Sequence, residues 1–170
     1  MIKQAISVLV NGDSLDPGES AQAMSEIMEG DATPAQISAF VTALRIKGET
    51  LDEILSMARV MREKSLRVEV DDRVIDTCGT GGDSSGTFNI STTVGLVVAG
   101  AGVKVAKHGN RAASGATGSA DVLEELGVKI DLGPEGVKMC IDEIGFGFMF
   151  AQIFHPAMRF AAVPRREIGI

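Results

Sequence analysis

Apolar positions in the first third of the chain recur at helical spacing, and polar residues mark where each helix begins. Ile2, Ile6, Leu9 and Val10 form one stripe, Ile37, Phe40, Val41 and Leu44 another, and Leu51, Ile54, Leu55, Ala58 and Met61 a third. Asp16-Pro17-Gly18-Glu19 supplies an N-cap, a proline at the first helical position and a glutamate at the third. Thr33-Pro34-Ala35-Gln36 and Thr50-Leu51-Asp52-Glu53 repeat that capping logic, while Gly12, Gly30 and Gly48 stand where helices should stop. The pattern predicts four helices within residues 1–65. It shows no catalytic constellation there, and reads as a packing or dimerisation unit.

Near residue 66 the period changes. Val68, Val70 and Val74-Ile75 read as strands, and from there strand and helix alternate: strand 74–77, helix 91–101, strand 103–106, helices 119–126 and 134–144, strand 146–150. This order predicts an α/β fold, a parallel sheet of three or four strands covered by helices, with ligands at the carboxyl ends of the strands. Phe146, Phe148 and Phe150 alternate at period two and are assigned to the core. The expected division is a helical domain over residues 1–66 and the first part of an α/β domain over residues 67–170. The ending on Ile168-Gly169-Ile170 looks like a cut in a longer chain.

Composition narrows the class of partner. The 170 residues carry a net charge of −7, which disfavours nucleic acid and anionic membrane as main partners. Cys78 and Cys140 have no second Cys or His at metal-ligand spacing and read as reduced thiols. No signal pattern opens the chain and no apolar run is long enough to span a bilayer, so a cytoplasmic protein is expected.

Against that acidic background, the glycine-rich loops of residues 76–119 stand out. Gly79-Thr80-Gly81-Gly82-Asp83 follows a strand, yet has neither the spacing of a dinucleotide fingerprint nor the Lys-Ser/Thr of a P-loop. Ser84, Ser85, Thr87, Asn89, Ser91 and Thr92 follow at once, a density of small polar groups suited to phosphate, ribose or hydrated metal. Ser91 and Thr92 also fit the N-cap of the next helix. The second loop, Lys107-His108-Gly109-Asn110-Arg111, gathers positive charge, and Ser114, Gly115, Thr117, Gly118 and Ser119 lead into another helix with Ser119 as its candidate cap. Asp121 reads as a first-turn charge favoured by the helix dipole rather than a catalytic acid. Arg165 and Arg166 are either surface charges or partners for a carboxylate. Two such loops close in sequence suggest a ligand carrying more than one phosphate.

Three segments, DTCGTGGDSSGTFNIST, KHGNRAASGATGSADVLEELG and HPAMRFAAVPRREIG, together resemble the anthranilate phosphoribosyltransferase family, in that family's order and spacing. The resemblance implies a nucleoside phosphorylase/phosphoribosyltransferase-like fold and transfer of the phosphoribosyl group of phosphoribosyl pyrophosphate (PRPP) to anthranilate in tryptophan biosynthesis. By motif, Gly79, Gly82, Asp83 and Thr87 would line the pyrophosphate and ribose site. Asn89, Ile90, Ser91 and Thr92 would hold the donor, with Ser91 reaching Mg2+. Lys107, His108, Gly109, Asn110, Arg111, Ala112, Ala113, Ser114, Gly115 and Ser119 would complete the phosphate cradle. Anthranilate contacts would fall on Gly79, Asn110 and Arg165, with His108 and His155 near the acceptor path. No residue is assigned as a catalytic acid, base or nucleophile, and the family implies a homodimer through the N-terminal helices. Family members are about twice as long and carry a magnesium-binding acidic pair in their second half, so the 170-residue chain alone is expected to be inactive or nearly so. A pyrimidine nucleoside phosphorylase and a non-catalytic binding module of the same fold are the competing readings.

Overall fold

The computed structural model describes residues 1–79, 87–112 and 117–170, which form two compact units: residues 1–65 with 155–170, and residues 66–154. Residues 155–170, placed with the α/β part by the sequence division at residue 66, thus pack with the helices.

The first unit contains α1 (Ile2–Val10), α2 (Pro17–Glu29), α3 (Pro34–Lys47), α4 (Leu51–Glu63), a 3-10 turn (Pro156–Met158) and α9 (Arg159–Ile168). All three expected capping boxes form. The Asp16 carboxylate accepts from the Glu19 N–H at 2.8 Å, and the Thr33 and Thr50 hydroxyls accept from Gln36 and Glu53 at 3.3 Å. Each satisfies a backbone donor that the first helical turn leaves unpaired. Gly30 ends α2 at φ 84°, and a Cβ there would lie 2.6 Å from the Phe160 ring, so both the left-handed turn and α9 packing require glycine. Ile2, Leu9, Ile27, Ile37, Phe40 and Leu44 make the core.

α4 departs from its sequence pattern. Leu51 and Ile54 are 72% and 51% exposed, while Glu53, Ser56 and Met57 face inward. Val10, counted in the α1 stripe, is likewise exposed, and Ala5 takes its place in the core. The inversion on α4 has a polar cause. Both Glu53 carboxylate oxygens are engaged: one accepts from the Leu15 N–H at 2.9 Å, the other from the Thr50 N–H at 2.7 Å and Lys47 Nζ at 2.9 Å. Burial works against the Glu53 charge, but the Thr50 N–H, the Lys47 ammonium and the Leu15 N–H outweigh it and hold the carboxyl below its usual range.

In the second unit, β1 (Val105–Gly109) and β2 (Phe146–Phe150) run parallel, with Val105 opposite Phe146 and Gly109 opposite Phe150. Among the described residues these are the strands. The expected strand 74–77 is a single parallel bridge of Ile75 to Val105, and Val68 and Val70 pack as side chains without backbone pairing. The charged Asp71-Asp72 step is tied instead to side chains, Asp72 meeting Lys104. The helices are α5 (Ile90–Gly100), α6 (Ser119–Glu125), α7 (Pro134–Ile144) and α8 (Ala151–Phe154). Val105, Leu123, Phe146, Phe148 and Phe150 form the core on one face of the sheet, and Ala106, Val137, Ile141 and Phe154 form that on the other. Gly147 lets α7 lie against β2, since a Cβ there would come within 2.6 Å of Ile141 and 2.9 Å of Val137.

Candidate phosphate-binding site

Three segments meet at the carboxyl end of this small sheet: the chain after Ile75, the start of α5, and the end of β1. Lys107 ties them together. Its side chain is 1% exposed, and Nζ donates to the Thr77 carbonyl at 2.6 Å, with the Ser91 hydroxyl 3.5 Å away. Thr77 Oγ1 donates in turn to the Ser91 carbonyl at 2.8 Å. Among the described residues Lys107 forms no ion pair. Burial pushes its ammonium below the usual lysine range, and the nearby Asp76 and Cys78 pull it part of the way back.

Glycine sets the tolerances. A Cβ at Gly95, on α5, would lie 2.9 Å from Thr77 Oγ1 and 3.3 Å from Phe146, so α5 could not sit this close to the sheet. At Gly109 a side chain would meet Ser119 Oγ and the Phe148 ring, the latter at 2.7 Å. Asn89 is the N-cap of α5, without a side-chain bond to its own helix. Its amide instead donates to Thr117, at 3.2 Å to Oγ1 and 3.3 Å to the carbonyl, linking the start of α5 to the second glycine loop. Ser91 and Thr92 therefore lie inside the first turn and are not caps. Thr92 is 1% exposed, which places it behind the site surface, and its Oγ1 has no partner among the described residues. Ile90 is exposed beside it.

In the second loop the Asn110 carbonyl accepts from Ser119 Oγ at 3.3 Å and the Ala120 N–H at 3.1 Å, and the His108 N–H donates to Asp76 at 3.3 Å. The cap of α6 is Gly118 rather than Ser119. The Arg111 guanidinium is held by two carboxylates, bonding Asp121 at 2.9 Å and Glu124 at 2.8 and 3.2 Å. Those carboxylates raise its pKa, Glu124 first and Asp121 second. Gly82, Asp83, Ala113, Ser114 and Gly115 lie outside the described residues. Thr87, Gly79 and Ala112 are exposed in the α/β unit. His155 and Arg165 belong to the helical unit, where Arg165 lines an apolar cleft with Met28, Phe40 and Leu44 and its Nε donates to the Ile170 carbonyl at 3.3 Å.

Sequence reasoning assigned no role to Asp76 or Thr77, although both stand in the first motif. The signal was their position at a strand end in front of a glycine turn. For a metal, the described residues offer no cluster of three or more His, Cys, Asp or Glu side chains. Ser91 supplies one hard oxygen, of the kind that suits magnesium.

Comparison with known proteins agrees with this architecture. Residues 3–65 match the helical bundle domain of the glycosyl transferase family, and residues 71–170 match its a/b domain. An anthranilate phosphoribosyltransferase of Dehalococcoides mccartyi is 64% identical over 170 residues, and one of Chloroflexus aggregans 63% identical over 169. The chain spans about half the length of these curated relatives: all or nearly all of it aligns with 50% of each. Among solved structures, anthranilate phosphoribosyltransferase from Thermus thermophilus superposes with a TM-score of 0.88 at 46% identity, over 98% of this chain and 51% of that one. The Saccharomyces cerevisiae enzyme in complex with PRPP and Mg superposes with a TM-score of 0.88 at 27% identity, over 99% and 51%. With both domain types matched in order, the chain belongs to the glycosyl transferase family of helical-bundle and a/b domains, and its curated relatives at 58–64% identity are anthranilate phosphoribosyltransferases.

Proposed function

We propose that the protein to which this chain belongs transfers the phosphoribosyl group of PRPP to anthranilate, and that this chain contributes the donor cradle. One observation carries the reading. Lys107, a buried ammonium that forms no ion pair among the described residues, sits where Thr77 meets the start of α5. A buried cation of that kind favours an anionic ligand beside it. Anomeric displacement breaks the bond from carbon to pyrophosphate oxygen and forms one from carbon to the anthranilate amine nitrogen, the amine proton being released. The site then has two tasks: to neutralise the departing diphosphate and to hold the amine in line. Lys107 and the N–H groups at the start of α5 serve the first. Within the α/β unit, Asn110 and His108 are the candidates for the second. Magnesium, when bound with the donor beside Ser91, supplies further charge neutralisation.

The relative bound to PRPP and Mg supports the donor and the metal. The exposed Leu51, Ile54 and Leu55 of α4 support a homodimer formed through the helical unit. Since the chain aligns with half of each relative, we expect the 170-residue polypeptide to bind donor without turning it over. Calorimetric titration separates this reading from a pyrimidine nucleoside phosphorylase. Saturable binding of PRPP with magnesium, and none of phosphate with a pyrimidine nucleoside, is expected; the reverse preference would replace the reading.

A further inference from the structure

The donor cradle makes no use of Asp121, yet this carboxylate gathers bonds from both sides of the second glycine loop. One oxygen, Oδ2, accepts from the Ala112 N–H at 3.1 Å and the Gly118 N–H at 2.8 Å. The other, Oδ1, accepts from Arg111 Nη1 at 2.9 Å. Arg111 is held a second time by Glu124, and its guanidinium lies 5.7 Å from the centre of the Phe150 ring. Backbone packing agrees: a Cβ at Gly118 would come within 2.6 Å of the Asn110 carbonyl oxygen and closer still to Arg111 and Ala112. The two arms of the loop therefore touch at residues 110–112 and 118, and Asp121 bridges them.

A first-turn carboxylate that only capped α6 would accept from Gly118 and stop there. The bonds to Ala112 and Arg111 have no part in ending a helix. Their effect falls on Asn110, whose carbonyl is held by Ser119 and Ala120 directly beneath the clasp. We propose that Asp121, with Arg111 as its partner, is a positioning residue that fixes residues 110–112 against 118–119, so that Asn110 and Ser119 meet the donor without rearrangement. The proposal rests on the PRPP reading above. It also changes Arg111 from an expected ligand into a structural partner whose charge is already matched. Charge-assisted bonds of this kind are the stronger class, and a site whose groups are fixed in advance loses less entropy on binding.

The test uses the 170-residue chain and D121N, which keeps the side-chain size and removes the charge. Without ligand, the Ala112 and Gly118 amides should exchange with solvent at least about tenfold faster in D121N, while Val105 and Leu123 in the core keep their protection. With ligand, calorimetric affinity for PRPP with magnesium should fall about tenfold, and D121E should recover part of it. Should D121N lose core protection throughout, R111M, which leaves the Asp121 bonds to Ala112 and Gly118 in place, carries the affinity readout, and wild-type affinity in it would overturn the proposal. Its affinity should fall while the salt dependence of binding stays that of the wild type, because no phosphate contact is removed. Wild-type exchange or wild-type affinity in D121N would overturn the positioning role alone. A wild-type chain that binds no PRPP would overturn the proposed function and this inference with it.

Discussion

At the scale of single residues, two buried charges set the character of the two units, and they are held in different ways. Glu53 is fully satisfied by Leu15, Thr50 and Lys47, whose ammonium is itself largely buried. E53A removes the counter-charge from Lys47 and the acceptor from the Leu15 N–H, so it should cost about 3 kcal/mol in urea unfolding. The pH dependence follows from the lowered pKa of Glu53. Its contribution is complete above the ordinary carboxylate range of the unfolded chain and is lost as pH falls through the lower folded value. The wild type should therefore lose stability on acidification more steeply than E53Q, as parallel urea titrations from pH 6 down to pH 3 would read. Lys107 is the opposite case, desolvated and in no ion pair among the described residues, with Asp76 acting on it only from nearby. Its lowered pKa means that anion binding must keep it protonated, so donor affinity should decline as pH rises through that depressed value, a limb absent in K107M. An alkaline profile that is flat in the wild type would count against Lys107 as a donor contact.

At the scale of elements, what was legible depended on how far apart the deciding partners lie. The capping boxes of Asp16, Thr33 and Thr50 are contacts across three residues and could be read directly. Helices α5, α6 and α7 and strand β2 fall close to their predicted bounds because their apolar periods are local. Strand structure at 68–70 was overread: β-branched residues mark a surface fit for pairing, but the partner lies elsewhere in the chain and the described fold provides none. The exposed stripe of α4 was hidden for the same reason, since Glu53 is drawn inward by Leu15, 38 residues away. In the candidate site, Lys107 was recognisable from its motif. The capture of Arg111 by Glu124, 13 residues away, was not. Close contacts between elements also yield a sharp expectation. G147A would push a methyl group into Ile141 and Val137, and should destabilise the α/β unit by about 2 kcal/mol in thermal or urea unfolding. A neutral G147A would mean that α7 can move off β2 at little cost.

At the scale of the whole molecule, the helical unit shows an apolar surface that a monomer leaves wet. Leu51, Ile54 and Leu55 lie on one helix, with Ile46 and Val10 also exposed elsewhere in the same unit. If this surface joins two copies, sedimentation of the wild type should show a concentration-dependent dimer, and I54E should shift it to monomer without loss of helical circular dichroism. A wild type that sediments as a monomer at every concentration would remove the dimer from the account. The central claim remains the donor cradle at the end of the small parallel sheet, built on Lys107, Thr77, Ser91 and Asn89. Its most direct test is calorimetric titration of PRPP with magnesium into the wild-type chain and into K107M. The account predicts saturable one-site binding to the wild type and a loss of at least about a hundredfold in K107M. Equal affinity in the two proteins would contradict it.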